Sequence, residues 1–361
     1  MQRAVPAFFM RGGTSKGLYF LRNDLPTDTD ERDRLLLAAM GTPDPRQIDG
    51  MGGAHPLTSK VAIVSRSSDD AADIDYLFLQ VGIDEALASD GQNCGNILAG
   101  VGPFAIENGL VAAADPETSV RIRMLNSNGI AIATVQTPGG AVTYDGVARI
   151  DGVPGTAAPV LIDFADVAGS TCGALLPTGQ VSEVIDGIAV TCIDNGMPVV
   201  LVRAPDVGKS GHETPAELEA DSKLKERVEL IRLQAGKRMN LGDVRDRTVP
   251  KISLIGPPER GGVIATRTFI PHRIHQSIGV LGAVSIATAC KIPGSVATSF
   301  YAGSDTDTVT PIEHPTGQLT VDVDVNLATS PISVRRSALL RTARKLMAGQ
   351  VFVPETRSAL A

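Results

Sequence analysis

The chain has 361 residues, 43% of them apolar and 20% charged, enough to bury a core and too apolar for a disordered tail. Its net charge of −7, from 33 basic and 40 acidic residues, excludes a nucleic-acid binder that depends on a global basic field. A local pocket for a small anion stays open, because net charge says nothing about one cleft.

With no Trp, 9 Phe and 4 Tyr against 37 Gly, the core must come from Val, Ile, Leu and Ala. The longest uncharged apolar stretch, Gln276 to Cys290, is too short to span a bilayer. Met1 to Arg11 has no apolar run long enough for a secretory signal. Cys94, Cys172, Cys192 and Cys290 lie far apart with no CxxC spacing, which argues against a disulfide framework or a zinc site. A cytoplasmic protein with no membrane partner is expected.

In chain order, the pattern predicts a helix over Thr29–Met40 with Leu35, Leu36 and Leu37 in its stripe. Strands follow at Ala62–Ser65 and Tyr76–Val81, then a helix at Asn93–Asn108 that is apolar nearly all round. Strands are expected again at Ala131–Thr137, Ile188–Ile193 and Pro198–Val202. A charged, periodic helix spans Pro215–Lys237, burying Leu218, Leu224, Val228 and Ile231. Gln276–Cys290 reads as a second helix without a polar face, followed by a strand at Leu319–Val325. Ser333–Met347 reads as a last helix, because Arg341, Arg344 and Lys345 suit a helix C-terminus.

A helix without a polar face must be enclosed on all sides. Two such helices, each among short strands, suggest two similar halves in which a curved sheet wraps a central helix. The boundary is placed near residues 183–187, giving halves 1–184 and 185–361 with central helices 93–108 and 276–290.

Four segments concentrate residues able to do chemistry. Met10-Arg11-Gly12-Gly13-Thr14-Ser15-Lys16-Gly17 offers glycines, hydroxyls and cations that could cradle a carboxylate or phosphate, or simply form a glycine turn. In Leu57–Val64, alternation places Lys60 on the face of Thr58, Ala62 and Val64, where burial would pull its pKa down; an edge lysine that snorkels to water is the alternative. Gly91–Asn96 opens the first central helix, with Asn93 as a good N-cap. Cys94 there sits where the helix terminus favours a thiolate, against the commoner fate of a small packing cysteine. Pro271–Gly279 opens the second with His272, Arg273 and His275; Arg273 suits a bidentate carboxylate contact. The two histidines lack a carboxylate at helical spacing, so no metal is expected there.

Taken together, MRGGTSKG, RQIDGMGG, LTSK, QNCGN with VGPFAIENGLV, CGALLPTG, IDNGMP and FIPHR resemble the PrpF family, from about residue 8 to about residue 353. That family holds methylaconitate isomerases and 4-oxalomesaconate isomerases or tautomerases. DPRQIDGMGGA, DYLFLQV and AGVGPFAIENGLV are similar to the latter, enzymes of bacterial protocatechuate and gallate breakdown. The resemblance implies an α+β, diaminopimelate epimerase-like fold of two pseudo-symmetric halves with the active site in the cleft between them. It implies that Lys60 and Cys94 transfer protons, with no metal and no organic cofactor. It further suggests substrate contacts from Arg11, Thr14, Ser15, Lys16, Asn93, Gly95 and Asn96, and from Asn195, His272, Arg273, Ser277 and Ile278. One departure matters: Gln276-Ser277-Ile278-Gly279 supplies no second thiol, which disfavours two-thiol racemisation and favours moving a double bond. The expected activity is proton transfer on an unsaturated tricarboxylate such as 4-oxalomesaconate. The rivals are methylaconitate isomerisation and a noncatalytic anion-binding accessory protein. Exposed edges of curved sheets make a homodimer plausible.

Overall fold

The computed structural model describes residues 2–91, 94–164, 167–304 and 306–354. The chain forms two compact units, Met1–Asp163 with Leu340–Ala361, and Phe164–Leu339.

The first unit contains β1 (Gln2–Gly12), β2 (Ser15–Leu21), α1 (Thr29–Met40), β3 (Lys60–Arg66), β4 (Ile74–Val81), β5 (Ala88–Ser89), α2 (Gly95–Glu107), β6 (Glu117–Met124), β7 (Gly129–Gln136) and β8 (Pro159–Phe164). Its strands run in the order β1-β2-β3-β4-β6-β7-β8. Helix α2 packs against β1, β2, β3, β4 and β7, so the sheet wraps it. The other face of the sheet is covered by α1. Leu35, Leu36, Ala39 and Met40 bury themselves against Leu18, Phe20, Val61, Ile63, Leu79 and Val81, each large side chain contributing about 1.5–3 kcal/mol. The bounds of α1 follow from its ends. Asp28 accepts from the Glu31 amide at 2.9 Å, and Gly41 closes the helix at φ 75°.

The second unit contains β9 (Glu183–Ile185), β10 (Ile188–Asp194), β11 (Pro198–Arg203), α3 (Pro215–Ala220), α4 (Ser222–Arg238), β12 (Lys251–Gly256), β13 (Ile264–Phe269), α5 (Val280–Cys290), β14 (Val309–His314) and β15 (Gly317–Asn326). The order is β9-β10-β11-β12-β13-β14-β15, and α5 packs against β10, β11, β14 and β15. Helix α4 covers the opposite face through Leu224, Val228, Ile231 and Ala235. The last strand, β16 (Ser333–Pro354), pairs its first residues with β15 in the second unit and its later ones with β1 in the first.

The two units repeat one topology. An antiparallel pair (β1–β2, β10–β11) is followed by the covering helix and a strand parallel to the one before it (β3 beside β2, β12 beside β11). An antiparallel return, the central helix and another parallel neighbour then follow (β4–β6, β13–β14). This is the α+β plan, a sheet about a central helix in each unit, that the two buried helices foretold.

Several expectations need correction. Ser333–Met347 is strand, not helix. The buried Ala338 and Leu339 pair with Asp322 and Val321 of β15, and Ala343 with Gly12 of β1, while Arg335 and Arg336 reach Asp324 and Asp322 across the ladder. Tertiary pairing thus overrides a helical propensity. The division near 183–187 is a hairpin inside the second unit: Asp186 and Gly187, at φ 51° and 76°, make the two-residue turn from β9 to β10. Helix Pro215–Lys237 breaks at Asp221, whose carboxylate caps α4 by accepting from the Leu224 amide. The central helices are shorter than expected. The N-cap of α2 is Cys94, not Asn93, which lies outside the described residues. The N-cap of α5 is Gly279, because the Ser277 amide turns back onto Nδ1 of His275 instead of entering the helix.

Candidate active site

Lys60 is the first residue of β3, in register with Gly17 of β2 and Gln80 of β4. Alternation puts it on the α2 side of the sheet with Ala62 and Val64, both fully buried. Only 6% of Lys60 is exposed. Its Nζ donates to Oε1 of Gln80 at 2.5 Å and stands 5.0 Å from the centre of the Phe78 ring. Gln80 donates in turn to the Ser59 carbonyl at 2.9 Å and the Pro56 carbonyl at 3.1 Å, which fixes its oxygen toward the lysine. Gly17 makes this possible, since a Cβ there would lie 2.0 Å from the Lys60 carbonyl oxygen. Burial lowers the Lys60 pKa, opposed in part by Cys94. Burial thus favours the neutral amine, the form that can accept a proton, more than in a lysine exposed to water.

Cys94 caps α2: its extended backbone lets its carbonyl accept from the Leu98 amide at 3.0 Å. It is half-buried and free, whereas Cys172, Cys192 and Cys290 are buried. Burial pushes the thiols of Cys172 and Cys290 up to about 12, so those are inert at neutral pH. Two tyrosines brace the helix start. The Tyr19 hydroxyl donates to the Ile97 carbonyl at 2.6 Å, and that of Tyr76 to the Cys94 carbonyl at 3.4 Å. Burial, reinforced by the nearness of Cys94, pushes both phenols well above their usual range, so they remain neutral donors. A Cβ on Gly95 would meet nothing within 4 Å, so the first turn of α2 opens onto free space where a ligand can approach the backbone.

The β1–β2 hairpin lies against this turn. Asn96 donates to Thr14 Oγ1 at 3.0 Å, and a Cβ on Gly12 would strike the Asn96 carbonyl oxygen at 2.4 Å. Arg11 is spent on structure, donating to the carbonyls of Gly13 and Thr342 and to the Thr342 hydroxyl. Burial and then Arg344 lower its pKa. Arg11, Thr14, Ser15 and Lys16 line one cavity of about 440 Å³ with Tyr144 and Arg344. The Ser15 hydroxyl is buried without a hydrogen-bond partner.

In the second unit the expected residues scatter. His272 and Arg273 are exposed on the turn after β13, and His272 approaches Glu229 at 3.9 Å. Ile278 is buried. Ser277 Oγ lies 3.3 Å from His314 Nδ1. Asn195 is wholly buried, donating to Thr288 and Ser337 and taking Ser285 Oγ as acceptor for its amide, so it fastens the end of β10 to α5. Lys251, first residue of β12, holds the place that Lys60 holds in β3, and burial followed by Arg232 lowers its pKa. Burial, with Lys251 beside it, likewise lowers His275. Among the described residues, no three His, Cys, Asp or Glu side chains could together hold a metal ion.

Reasoning from sequence missed Tyr19, Tyr76, Gln80 and Arg341. Tyr19 and Tyr76 are two of only 4 tyrosines, and Gln80 would follow from pairing the strand of Lys60 with its neighbour. Arg341 was hidden by reading its segment as a helix.

A buried lysine and a partly exposed thiol at the mouth of a helix that one sheet enwraps lie together in the first of two α+β units of like topology. Residues 2–354 match the family described as PrpF protein, and the chain belongs to that family. It is 59% identical to the (4E)-oxalomesaconate Delta-isomerase of Novosphingobium sp. (strain KA1), over 97% of this chain and 98% of that one. It is 57% identical to the 4-oxalomesaconate tautomerase of Pseudomonas putida, over 98% and 97%. The 2-methyl-aconitate isomerase of Shewanella oneidensis is more distant, at 36% over 98% of each. A crystal structure of methylitaconate-delta-isomerase superposes with a TM-score of 0.89 at 35% identity, covering 100% of this chain and 99% of that one.

Proposed function

We propose that this isomerase moves a proton, without metal or organic cofactor, on the unsaturated tricarboxylate 4-oxalomesaconate. The observation that carries the reading is Lys60: buried, hydrogen-bonded to a neutral amide, and in electrostatic contact with Cys94 at the open end of α2. As a neutral amine it takes a proton from a carbon flanked by electron-withdrawing groups. The C–H electron pair moves into the conjugated system as a dienolate, and Lys60 becomes an ammonium. Amides of the first α2 turn and the nearby cations stabilise the negative charge as it develops. Cys94, or Lys60 itself, then returns a proton to the far carbon, or the oxygen takes it. The first outcome shifts a double bond and the second makes an enol. The names isomerase and tautomerase, borne by two relatives at 59% and 57% identity, correspond to these two ends. Four free cysteines suit a reducing, cytoplasmic setting.

Methylaconitate would use the same residues, but the relative bearing that activity shares far less sequence with this chain. An ultraviolet assay run in parallel on 4-oxalomesaconate and 2-methylaconitate tests the reading, since conjugation changes are visible directly. Faster turnover of 4-oxalomesaconate is expected. Binding of either compound without turnover would favour an accessory protein instead.

A further inference from the structure

Arg341 lies on β16, 6% exposed. Its one side-chain hydrogen bond among the described residues runs from Nη1 to the carbonyl of its neighbour Leu340 at 3.0 Å, and its Nε is buried with no acceptor. Burial brings the guanidinium down to about 10, with Cys94 opposing, so it is a cation at neutral pH. No carboxylate among the described residues pairs with it. Arg232 shows what a self-sufficient buried arginine looks like. It is also fully buried, but it forks onto both oxygens of Glu229 at 2.7 and 2.8 Å and reaches the carbonyls of Arg247 and Val249.

Register says where Arg341 sits. Ala343 pairs with Gly12, Gly12 with Ser15, and Gly17 with Lys60. Alternation therefore places Arg341, Ser15 and Lys60 on one face, the face that Gly12 brings against Asn96 at the start of α2. Ser15 brings a second buried polar atom without a partner to that face. A buried charge that no group of the chain compensates is costly. Two such orphans beside an acid–base pair mark a place where an anion completes the set.

We infer that Arg341, assisted by Ser15, is a carboxylate-binding residue of the first unit, holding one carboxylate of the substrate beside Lys60 and Cys94. A guanidinium matches a carboxylate through two parallel N–H donors, and a hydroxyl can add a third. The inference rests on the proposed reading for the class of ligand, a polycarboxylate, but its test does not depend on turnover.

Calorimetric titration with tricarballylate and with glutarate, on wild type, Arg341→Met and Arg341→Lys, decides it. Arg341→Met should weaken tricarballylate by about 30-fold or more, as losing one member of a desolvated charge pair does, and should bring the two probes to similar affinity. Arg341→Lys should fall between. Without ligand, Arg341→Met should melt at or above the wild-type temperature, because an apolar isostere replaces an uncompensated ion. Folded Arg341→Met that binds tricarballylate within about threefold of wild type would overturn the inference, as would wild type with no affinity for either probe. If Arg341→Met does not fold, Arg341→Lys decides: affinity equal to wild type overturns the inference, and a clear loss upholds it. Turnover of 4-oxalomesaconate by wild type is scored separately, and its absence would defeat the proposed reaction rather than the assignment of Arg341.

Discussion

The two units are built on one topology and furnished differently. Each begins the strand after its covering helix with a lysine, Lys60 in β3 and Lys251 in β12. The first unit then sets a thiol at the start of its central helix and encloses Arg341 without a counter-ion. The second starts its central helix at Gly279, has no thiol there, and encloses an arginine already satisfied by Glu229. Burial lowers both lysines, but the neighbours differ: Lys60 has Cys94, whereas Lys251 has Arg232 and His275. Topology therefore positions a lysine in both units, and the residues around it decide whether it can do chemistry.

The largest effect that could break this comparison is on turnover. Lys60→Met should keep the apolar stem and lower kcat on 4-oxalomesaconate by about 10²–10⁴-fold, the usual worth of a general base. Lys251→Met should stay within about tenfold of wild type, a loss of no more than about 1.4 kcal/mol. Equal losses from the two variants, measured by the ultraviolet assay, would erase the distinction.

Cys94→Ser should come next, with a steep fall in activity and little change in melting temperature, since serine nearly matches the shape of the partly exposed cysteine and leaves no cavity. In wild type, iodoacetamide should label Cys94 before the buried Cys172, Cys192 and Cys290, and tricarballylate should protect it. Peptide mapping checks both statements. Labelling that spares Cys94 would leave Lys60 without its companion.

The contrast of the two arginines is smaller and is read in stability. Arg232→Met strands Glu229, which is partly exposed, and should cost about 3 kcal/mol in chemical denaturation. Arg341→Met should cost nothing. The smallest effect is on the pH dependence of stability. Lys60 has a folded pKa below 10.5, so the unfolded chain binds more protons between the two values. Stability should rise with pH across that window, and the destabilisation is fully present below it. Lys60→Met should remove that rise, as denaturation at a series of pH values would record.

What the sequence made legible depends on whether a segment's partners are near it in the chain. Helix α1 carries its own cap, stripe and terminating glycine, so its ends at Thr29 and Met40 are legible in the sequence. Lys60 stood out because local alternation put a charge among Ala62 and Val64. Cys94 stood out through the polar residues around it. Strand β16 escapes a local reading because Arg341, Arg344 and Lys345 look like a helical terminus until the pairing with β1 and β15 is known. Its misreading also concealed Arg341. The hairpin at Asp186 and Gly187 looks like a domain boundary in sequence because a turn and a linker share their residue types. The return of residues 340–354 to the first unit is a property of long-range pairing that no local window contains. Likewise, Asn195 belongs to a motif that reads as ligand-binding, yet its amide and side chain hold α5 and β16 in place.

The central claim is that Lys60 removes the substrate proton. Exchange of deuterium from heavy water into 4-oxalomesaconate, followed by nuclear magnetic resonance for wild type and Lys60→Met at matched concentration, measures that step whether the proton finally returns to carbon or to oxygen. Wild type should exchange at a rate comparable to turnover, and Lys60→Met should exchange at least about 100-fold more slowly. Exchange in Lys60→Met within about tenfold of wild type would place less than about 1.4 kcal/mol of the barrier on this lysine, and would contradict the account.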